Sequence, residues 1–170
     1  MERCVSGLRK EGRPFQGVLF AGLMISAELQ VSVLEFNCRF GDPETQSVLP
    51  LLESDLYEIF LACSEQRLDT CSIDWLNSDT ARGQVFSCGI VLADADYPHS
   101  ANKGQAIDGV PLGEHATKPA DYARLLTEPA DKVHVLHAGT KLADQKLVTN
   151  GGRILSCVGF AGTLERARSL

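Results

Sequence analysis

The segment at residues 31–46, VSVLEFNCRFGDPETQ, carries the residue types best suited to chemistry. Its apolar run ends in Glu35 and Asn37, and successive side chains of a strand alternate, so these two are predicted to share one face. Carboxylate and amide oxygens suit Mg²⁺, which keeps several waters and shares its shell with substrate phosphates. Arg39, two residues further on, can hold a phosphate or acyl-phosphate oxygen. The pattern therefore indicates phosphoryl transfer.

The same residue types also fit a plainer role. A Glu and an Asn at a strand end are often a solvated rim or a turn-forming pair, so their spacing alone is weak evidence for a metal. Their neighbours strengthen it, since the charged and polar residues cluster within ten positions. They are Glu35, Asn37, Arg39, Asp42 and Glu44. So much charge at the end of an apolar strand favours a ligand or metal that balances it.

Two strands and a helix are expected to position these residues. Residues 17–25 and 31–37 predict an antiparallel hairpin joined by a polar turn. Pro43 suits the first turn of a helix, and Asp42 is its predicted N-cap. Apolar residues then recur at helical spacing through about residue 65. They are Val48, Leu49, Leu52, Leu56, Ile59, Phe60 and Cys63.

A polar stretch around residues 68–79 precedes a second set of predicted strands. Those strands are short and rich in β-branched residues, with turn residues between them, as in a small β-rich domain. They cover residues 81–93, 105–109, 132–138, 141–149 and 153–159. Residues 112–129, with prolines and mixed charge, are expected to form a surface loop or short exposed helix. The expected fold class is α+β.

Composition excludes several classes of function. The chain has 170 residues, of which 44% are hydrophobic and 22% charged, enough for one ordinary domain or two small ones. No apolar run approaches the roughly 20 residues of a membrane span, and the first residues lead into charge rather than a signal-peptide core. A net charge of −6 argues against a nucleic-acid surface. We expect a cytoplasmic protein with no membrane or nucleic-acid partner.

The cysteines and histidines predict neither disulfides nor zinc. None of the six cysteines forms a CxxC pair, and most lie in apolar stretches, which favours reduced, buried thiols. His134 and His137 are expected to face opposite sides of a strand, and no histidine pairs with a cysteine at a zinc-type spacing.

Long strings of this sequence resemble one enzyme family. They read PFQGVLFAGLMI at 14–25, LEFNCRFGDPETQ at 34–46, LPLLESDLYEIF at 49–60, HAGTK at 137–141 and VTNGGRIL at 148–155. In this order they are similar to the phosphoribosylamine–glycine ligases of purine biosynthesis, also called glycinamide ribonucleotide synthetases. The resemblance covers almost the whole chain.

The resemblance implies an ATP-grasp ligase. In that family ATP phosphorylates the carboxylate of glycine, and the amine of 5-phosphoribosylamine attacks the acyl phosphate to give glycinamide ribonucleotide. Glu35 and Asn37 match the family's Mg²⁺ or Mn²⁺ ligands. Arg39 and Asp42 match positions near the reacting phosphate and the substrates. A glycine loop with a basic residue suits a hairpin turn as well as a phosphate, and the resemblance favours substrate contact for Gly151, Gly152 and Arg153.

The resemblance also implies a division of the chain. Residues 1–72 match part of an ATP-grasp domain, the half with the metal ligands, and residues 79–170 match the family's β-rich C-terminal domain. The family's N-terminal domain and its ATP-holding lobe have no counterpart in this sequence, so the chain is expected to begin inside a domain.

Two hypotheses follow from this division. In the first, the chain works as part of a larger ligase, with the N-terminal region of the same enzyme as its partner, and is inactive by itself. In the second, it is a non-catalytic remnant or binding module that keeps the C-terminal fold and a weak divalent-cation site.

Overall fold

The computed structural model describes residues 1–76, 84–110 and 131–170. Helices and antiparallel sheets are mixed, which confirms the predicted α+β class. The helices are α1 (Glu2–Lys10), α2 (Thr45–Val48), α3 (Leu56–Ser64) and α4 (Leu164–Ser169), with short 3-10 helices at Leu49–Leu51 and Leu68–Thr70. The strands are β1 (Phe20–Ile25), β2 (Val31–Asn37), β3 (Phe86–Ala93), β4 (Lys132–His137), β5 (Thr140–Ala143), β6 (Lys146–Thr149) and β7 (Arg153–Ala161).

The chain divides into two compact units. The first unit comprises Met1–Thr45 with Ser54–Asp74, and the second comprises Gln46–Glu53 with Trp75–Leu170. Each unit is described by itself below. The predicted domain boundaries, 1–72 and 79–170, stay a prediction.

The predicted hairpin is present in the first unit. Strands β1 and β2 pair antiparallel, with Phe20 opposite Asn37 at one end and Ile25 opposite Val31 at the other. Ser26 closes the turn, since its Oγ accepts hydrogen bonds from the backbone N–H groups of Glu28 and Gln30, both at 3.2 Å. Strand β2 has the predicted bounds, whereas β1 begins three residues later than predicted.

The single helix predicted from Pro43 to about residue 65 is wrong. The chain forms α2, a 3-10 helix that contains Pro50, and then a separate helix α3. Proline has no backbone N–H to continue a helical ladder, and Leu52 is extended and forms an isolated bridge with Trp75. The N-cap of α3 is Asp55, whose Oδ1 accepts a 2.8 Å hydrogen bond from the Tyr57 N–H. The helical spacing of the apolar residues could not show this break.

A three-stranded sheet forms the centre of the second unit. Strand β7 lies in the middle and pairs antiparallel with β3 on one side and β4 on the other. The core consists of Leu76, Val85, Val158 and Phe160, with Leu51 and Leu136 packed against it. Helix α4 packs against β3 and β7, and a Cβ added at Gly159 would collide with a backbone carbonyl of that helix. The close approach explains the glycine.

Two strand predictions in this unit need correction. Residues 141–149 are not one strand, because Asp144 and Gln145 have φ angles of 49° and 62° and turn the chain into the hairpin β5–β6. Residues 105–109 contribute only an isolated bridge, between Ala106 and Val148. The predicted insertion at 112–129 lies outside the described residues.

The cysteines are reduced, as predicted, but not buried. All six are free thiols, and all are half-buried or exposed. The strand prediction for the two histidines is confirmed, since His134 is buried and His137 is exposed. In the described part of the chain, no helix combines the length and the apolar composition of a membrane span.

Candidate functional site

Glu35 and Asn37 contact each other at the end of β2. The Asn37 Nδ2 group donates a 2.9 Å hydrogen bond to Glu35 Oε1, which confirms that the two side chains share a face. A carboxylate only accepts hydrogen bonds, so this contact fixes which way the Asn37 amide points. The amide oxygen Oδ1 is therefore turned away from Glu35. In the described structure neither Oδ1 nor Glu35 Oε2 has a hydrogen-bond partner.

A β-bulge separates two chemically different faces of the hairpin. Gly22 pairs with Glu35 and the next residue, Leu23, pairs with Val33, so Leu34 is an extra residue without a partner. Cross-strand partners lie on the same face, and neighbours along a strand lie on opposite faces. One face therefore carries Phe20, Gly22, Met24, Ser32, Glu35 and Asn37. The opposite face carries Ala21, Leu23, Ile25, Val31, Val33 and Phe36.

The second of these faces, which we call the apolar face, is open. Its five large side chains are 40–60% exposed: Leu23, Ile25, Val31, Val33 and Phe36. Monomeric proteins rarely leave so much contiguous apolar surface in water. The face therefore has the character of a contact surface.

Arg39 and Asp42 lie in the turn that follows β2. Both side chains are exposed, and Arg39 Nη1 donates a 2.7 Å hydrogen bond to the Phe40 carbonyl. Gly41 is buried, and a Cβ there would come within 2.9 Å of the Phe20 ring. Phe20 is the cross-strand partner of Asn37. Because Gly41 has no side chain, this turn can lie beside the end of the hairpin that carries Glu35 and Asn37.

An apolar pocket adjoins the same turn within the first unit. Its volume is ≈590 Å³, and its wall includes Phe40, Ile59 and Phe60. Gln16 also lines it and ties the chain to the end of α3, because its Nε2 donates hydrogen bonds of 2.5 and 2.6 Å to the carbonyls of Cys63 and Ser64. Helix α3 is therefore held at both ends by side-chain hydrogen bonds.

The predicted substrate loop, Gly151-Gly152-Arg153, belongs to the second unit. A Cβ added at Gly139 would lie 2.7 Å from Gly151 Cα, and one at Gly152 would lie 2.6 Å from the Tyr97 ring. The Gly139 N–H donates a 2.7 Å hydrogen bond to the Arg153 carbonyl. Close backbone packing thus accounts for Gly139 and Gly151, and the Tyr97 ring accounts for Gly152. Contact of this loop with a substrate stays a prediction.

Sequence reasoning missed an ordered loop next to these glycines. Asp94 Oδ1 and Oδ2 accept 3.0 Å hydrogen bonds from the backbone N–H groups of Asp96 and Asn102, respectively. These bonds favour the charged form and lower the pKa of Asp94. The Asp94 N–H in turn donates a 2.7 Å bond to the Gly152 carbonyl. An Asp in a loop is a signal for such a turn, because its side chain can accept a hydrogen bond from the backbone N–H two residues on.

Comparison with known families matches both parts of the chain to one enzyme. Residues 1–45 match the family described as phosphoribosylglycinamide synthetase, ATP-grasp (A) domain. Residues 87–170 match phosphoribosylglycinamide synthetase, C domain.

Curated relatives and a solved structure agree with these matches. The bifunctional purine biosynthetic protein purD of Dictyostelium discoideum is 44% identical over 96% of this chain and 18% of its own length. The phosphoribosylamine–glycine ligase of Escherichia coli is 39% identical over 96% of this chain and 33% of its own. The crystal structure of phosphoribosylamine–glycine ligase from Thermotoga maritima is similar with a TM-score of 0.61 and 32% identity, over 96% of this chain and 34% of that one. The chain thus spans about a third of the ligases from Escherichia coli and Thermotoga maritima, and less than a fifth of the bifunctional protein.

Proposed function

This chain belongs to the phosphoribosylglycinamide synthetase family, and from that premise we propose that it is part of a ligase that joins glycine to 5-phosphoribosylamine. The reaction uses ATP, passes through glycyl phosphate and gives glycinamide ribonucleotide for purine biosynthesis. The observation that carries the proposal is the hydrogen-bonded pair of Glu35 and Asn37. The pair lies on the face of the hairpin opposite the apolar face, within the part that matches the ATP-grasp domain.

The donor set of this pair fits a hard divalent cation. Glu35 Oε2 and Asn37 Oδ1 are both oxygens, as Mg²⁺ or Mn²⁺ prefers. The described residues hold no group of three or more His, Cys, Asp or Glu side chains that could bind a metal, so water and phosphate oxygens would complete the shell. Held by Glu35 and Asn37, such an ion would supply positive charge to balance the charge that develops on the phosphate oxygens.

The turn after β2 supplies the charged side chains that would orient the reactants. Arg39 presents a guanidinium whose planar fork suits two phosphate oxygens, and we assign it to the acyl phosphate. Asp42 presents a carboxylate that can accept a hydrogen bond from the amino group of a substrate. Both act by positioning and electrostatics, which dominate phosphoryl transfer. In the second unit, Gly151, Gly152 and Arg153 are assigned to substrate contact.

The complete enzyme would supply the remaining parts. ATP would be held by its N-terminal region, and the apolar face of the hairpin offers a surface for packing against that region. We place the enzyme in the cytoplasm. The second candidate is a non-catalytic module that keeps a weak cation site, and it is favoured by one observation, that only residues 1–45 match the ATP-grasp domain.

Substitution of Glu35 in the complete enzyme tests the ligase proposal. Glu35→Gln keeps the shape of the side chain but removes its charge, so we expect a higher Mg²⁺ requirement and a strong fall in turnover. Glu58→Gln, on the exposed side of α3, is the matched control and should leave both unchanged. The measurement is formation of glycinamide ribonucleotide across a magnesium titration. An unchanged magnesium dependence in Glu35→Gln would contradict the assignment.

A further inference from the structure

Gly22 occupies a position where a glycine needs an explanation. It lies within β1, where glycine weakens a strand because it loses more backbone entropy on folding and has no side chain to pack. Its φ angle is not positive, so its backbone conformation does not require glycine. The atoms that surround its Cα must therefore explain why this position has no side chain.

The space above Gly22 is filled by the side chain of Glu35. The two residues are cross-strand partners, and a Cβ built on Gly22 would lie 3.2 Å from Glu35 Cγ. That separation is tighter than an ordinary van der Waals contact between carbon atoms. A side chain at position 22 would therefore push the Glu35 methylene group away by a few tenths of an ångström, and the carboxylate that contacts Asn37 would move with it.

We propose that Gly22 is a positioning residue for the hydrogen-bonded pair of Glu35 and Asn37. Its missing side chain lets Glu35 lie across β1 and hold its carboxylate against Asn37. The inference rests on the proposed function, because it concerns the same pair of oxygens. The bulge contributes to the same end. It places the extra residue, Leu34, immediately before Glu35, where a bulge commonly re-aims the neighbouring side chain.

Nuclear magnetic resonance of the 170-residue chain tests this directly. The side-chain amide of Asn37 reports its hydrogen bond to Glu35, and Mn²⁺ added alone broadens that signal if the ion binds there. In Gly22→Ala we expect the amide to lose its hydrogen-bonded shift. The Mn²⁺ concentration needed for broadening should rise about tenfold, as for other groups that orient a metal ligand.

A matched control is available in the same chain. Gly7 lies in α1, has no positive φ, and a Cβ there would meet nothing within 4 Å. Gly7→Ala should therefore leave the Asn37 amide and the Mn²⁺ dependence unchanged.

Thermal unfolding separates positioning from a purely structural role. Alanine, and valine still more, are better strand formers than glycine, so Gly22→Ala and Gly22→Val should keep or raise the Tm while Mn²⁺ binding falls. Valine should weaken binding more than alanine, since it intrudes further. A lower Tm in both variants, in step with weaker Mn²⁺ binding, would assign Gly22 to the fold and overturn the inference.

The remaining outcomes distinguish this inference from the proposed function. A Gly22→Ala chain that keeps the wild-type amide shift and Mn²⁺ dependence overturns the positioning role alone. A wild-type chain whose Asn37 amide ignores Mn²⁺ overturns the cation site itself, and the amide shift of the variant then decides by itself whether Gly22 sets the geometry of Glu35.

Discussion

Individual contacts decide what the polar pair can do. Because the Asn37 amide donates an N–H to Glu35 Oε1, Asn37 Oδ1 and Glu35 Oε2 are left without a hydrogen-bond partner in the described structure. The sequence pattern predicted their shared face correctly, since period-two alternation needs only the strand to exist. It could not predict the role of Gly22, which depends on the register that pairs it with Glu35.

The Asp94 loop gives a pH-dependent prediction at this scale. Backbone hydrogen bonds from Asp96 and Asn102 lower the pKa of Asp94 below its ordinary value of 3.8. A carboxyl with a depressed folded-state pKa stabilises the folded loop above its unfolded pKa, and this contribution is lost as the pH falls through the folded value. The Asn102 backbone amide should therefore lose its hydrogen-bonded shift only in the acid range below pH 3.8.

Substitution provides the control for that titration. Asp94→Asn keeps the shape and one acceptor but cannot titrate, so its loop should show no such acid transition in the same amide spectra. A transition of equal size in Asp94→Asn would assign it to another group.

The pattern of apolar residues predicted which helices and strands exist better than it predicted where each of them begins and ends. Strand β2 has the predicted bounds because its ends are marked by polar residues. The helix after Pro43 was predicted too long, because Pro50 and the extended Leu52 interrupt a run whose apolar spacing continues regardless. The hairpin β5–β6 was missed because its turn uses Asp144 and Gln145 rather than a glycine.

Helix α3 offers an element-scale test through its N-cap. The Asp55 carboxylate satisfies the Tyr57 N–H, which has no partner inside the helix. Asp55→Ala should lower the free energy of unfolding by about 1 kcal/mol, whereas Asp55→Asn should be close to neutral, since both Asp and Asn cap well. Urea unfolding measures both. Equal losses in the two variants would mean that the charge, and not the cap, matters.

At the scale of the whole molecule, the chain matches about a third of the length of its ligase relatives. If the N-terminal region of the enzyme holds ATP, residues 1–170 alone should bind ATP very weakly and form no glycinamide ribonucleotide above background. Calorimetry with ATP and a coupled product assay measure the two. Micromolar ATP binding, or product from the isolated chain, would contradict the proposal that the N-terminal region holds ATP.

The apolar face predicts how the isolated chain behaves in solution. With five large apolar side chains 40–60% exposed, the chain should self-associate. Adding the N-terminal region of the enzyme as a separate chain should draw it into a soluble complex, because covering that surface removes the drive for non-specific association. Light scattering follows both. A monodisperse monomer that ignores the added region would contradict the prediction.

The bulge also bears on how related sequences are aligned with this one. Leu34 takes no part in the ladder, so a strand without it would pair Val33 and Glu35 with the same partners, Leu23 and Gly22. The side-chain oxygens of Glu35 and Asn37 would then lie on the same side of the hairpin as they do here. A relative one residue shorter at this point can therefore keep the same cation ligands, and a gap placed opposite Leu34 is no sign that they have been lost.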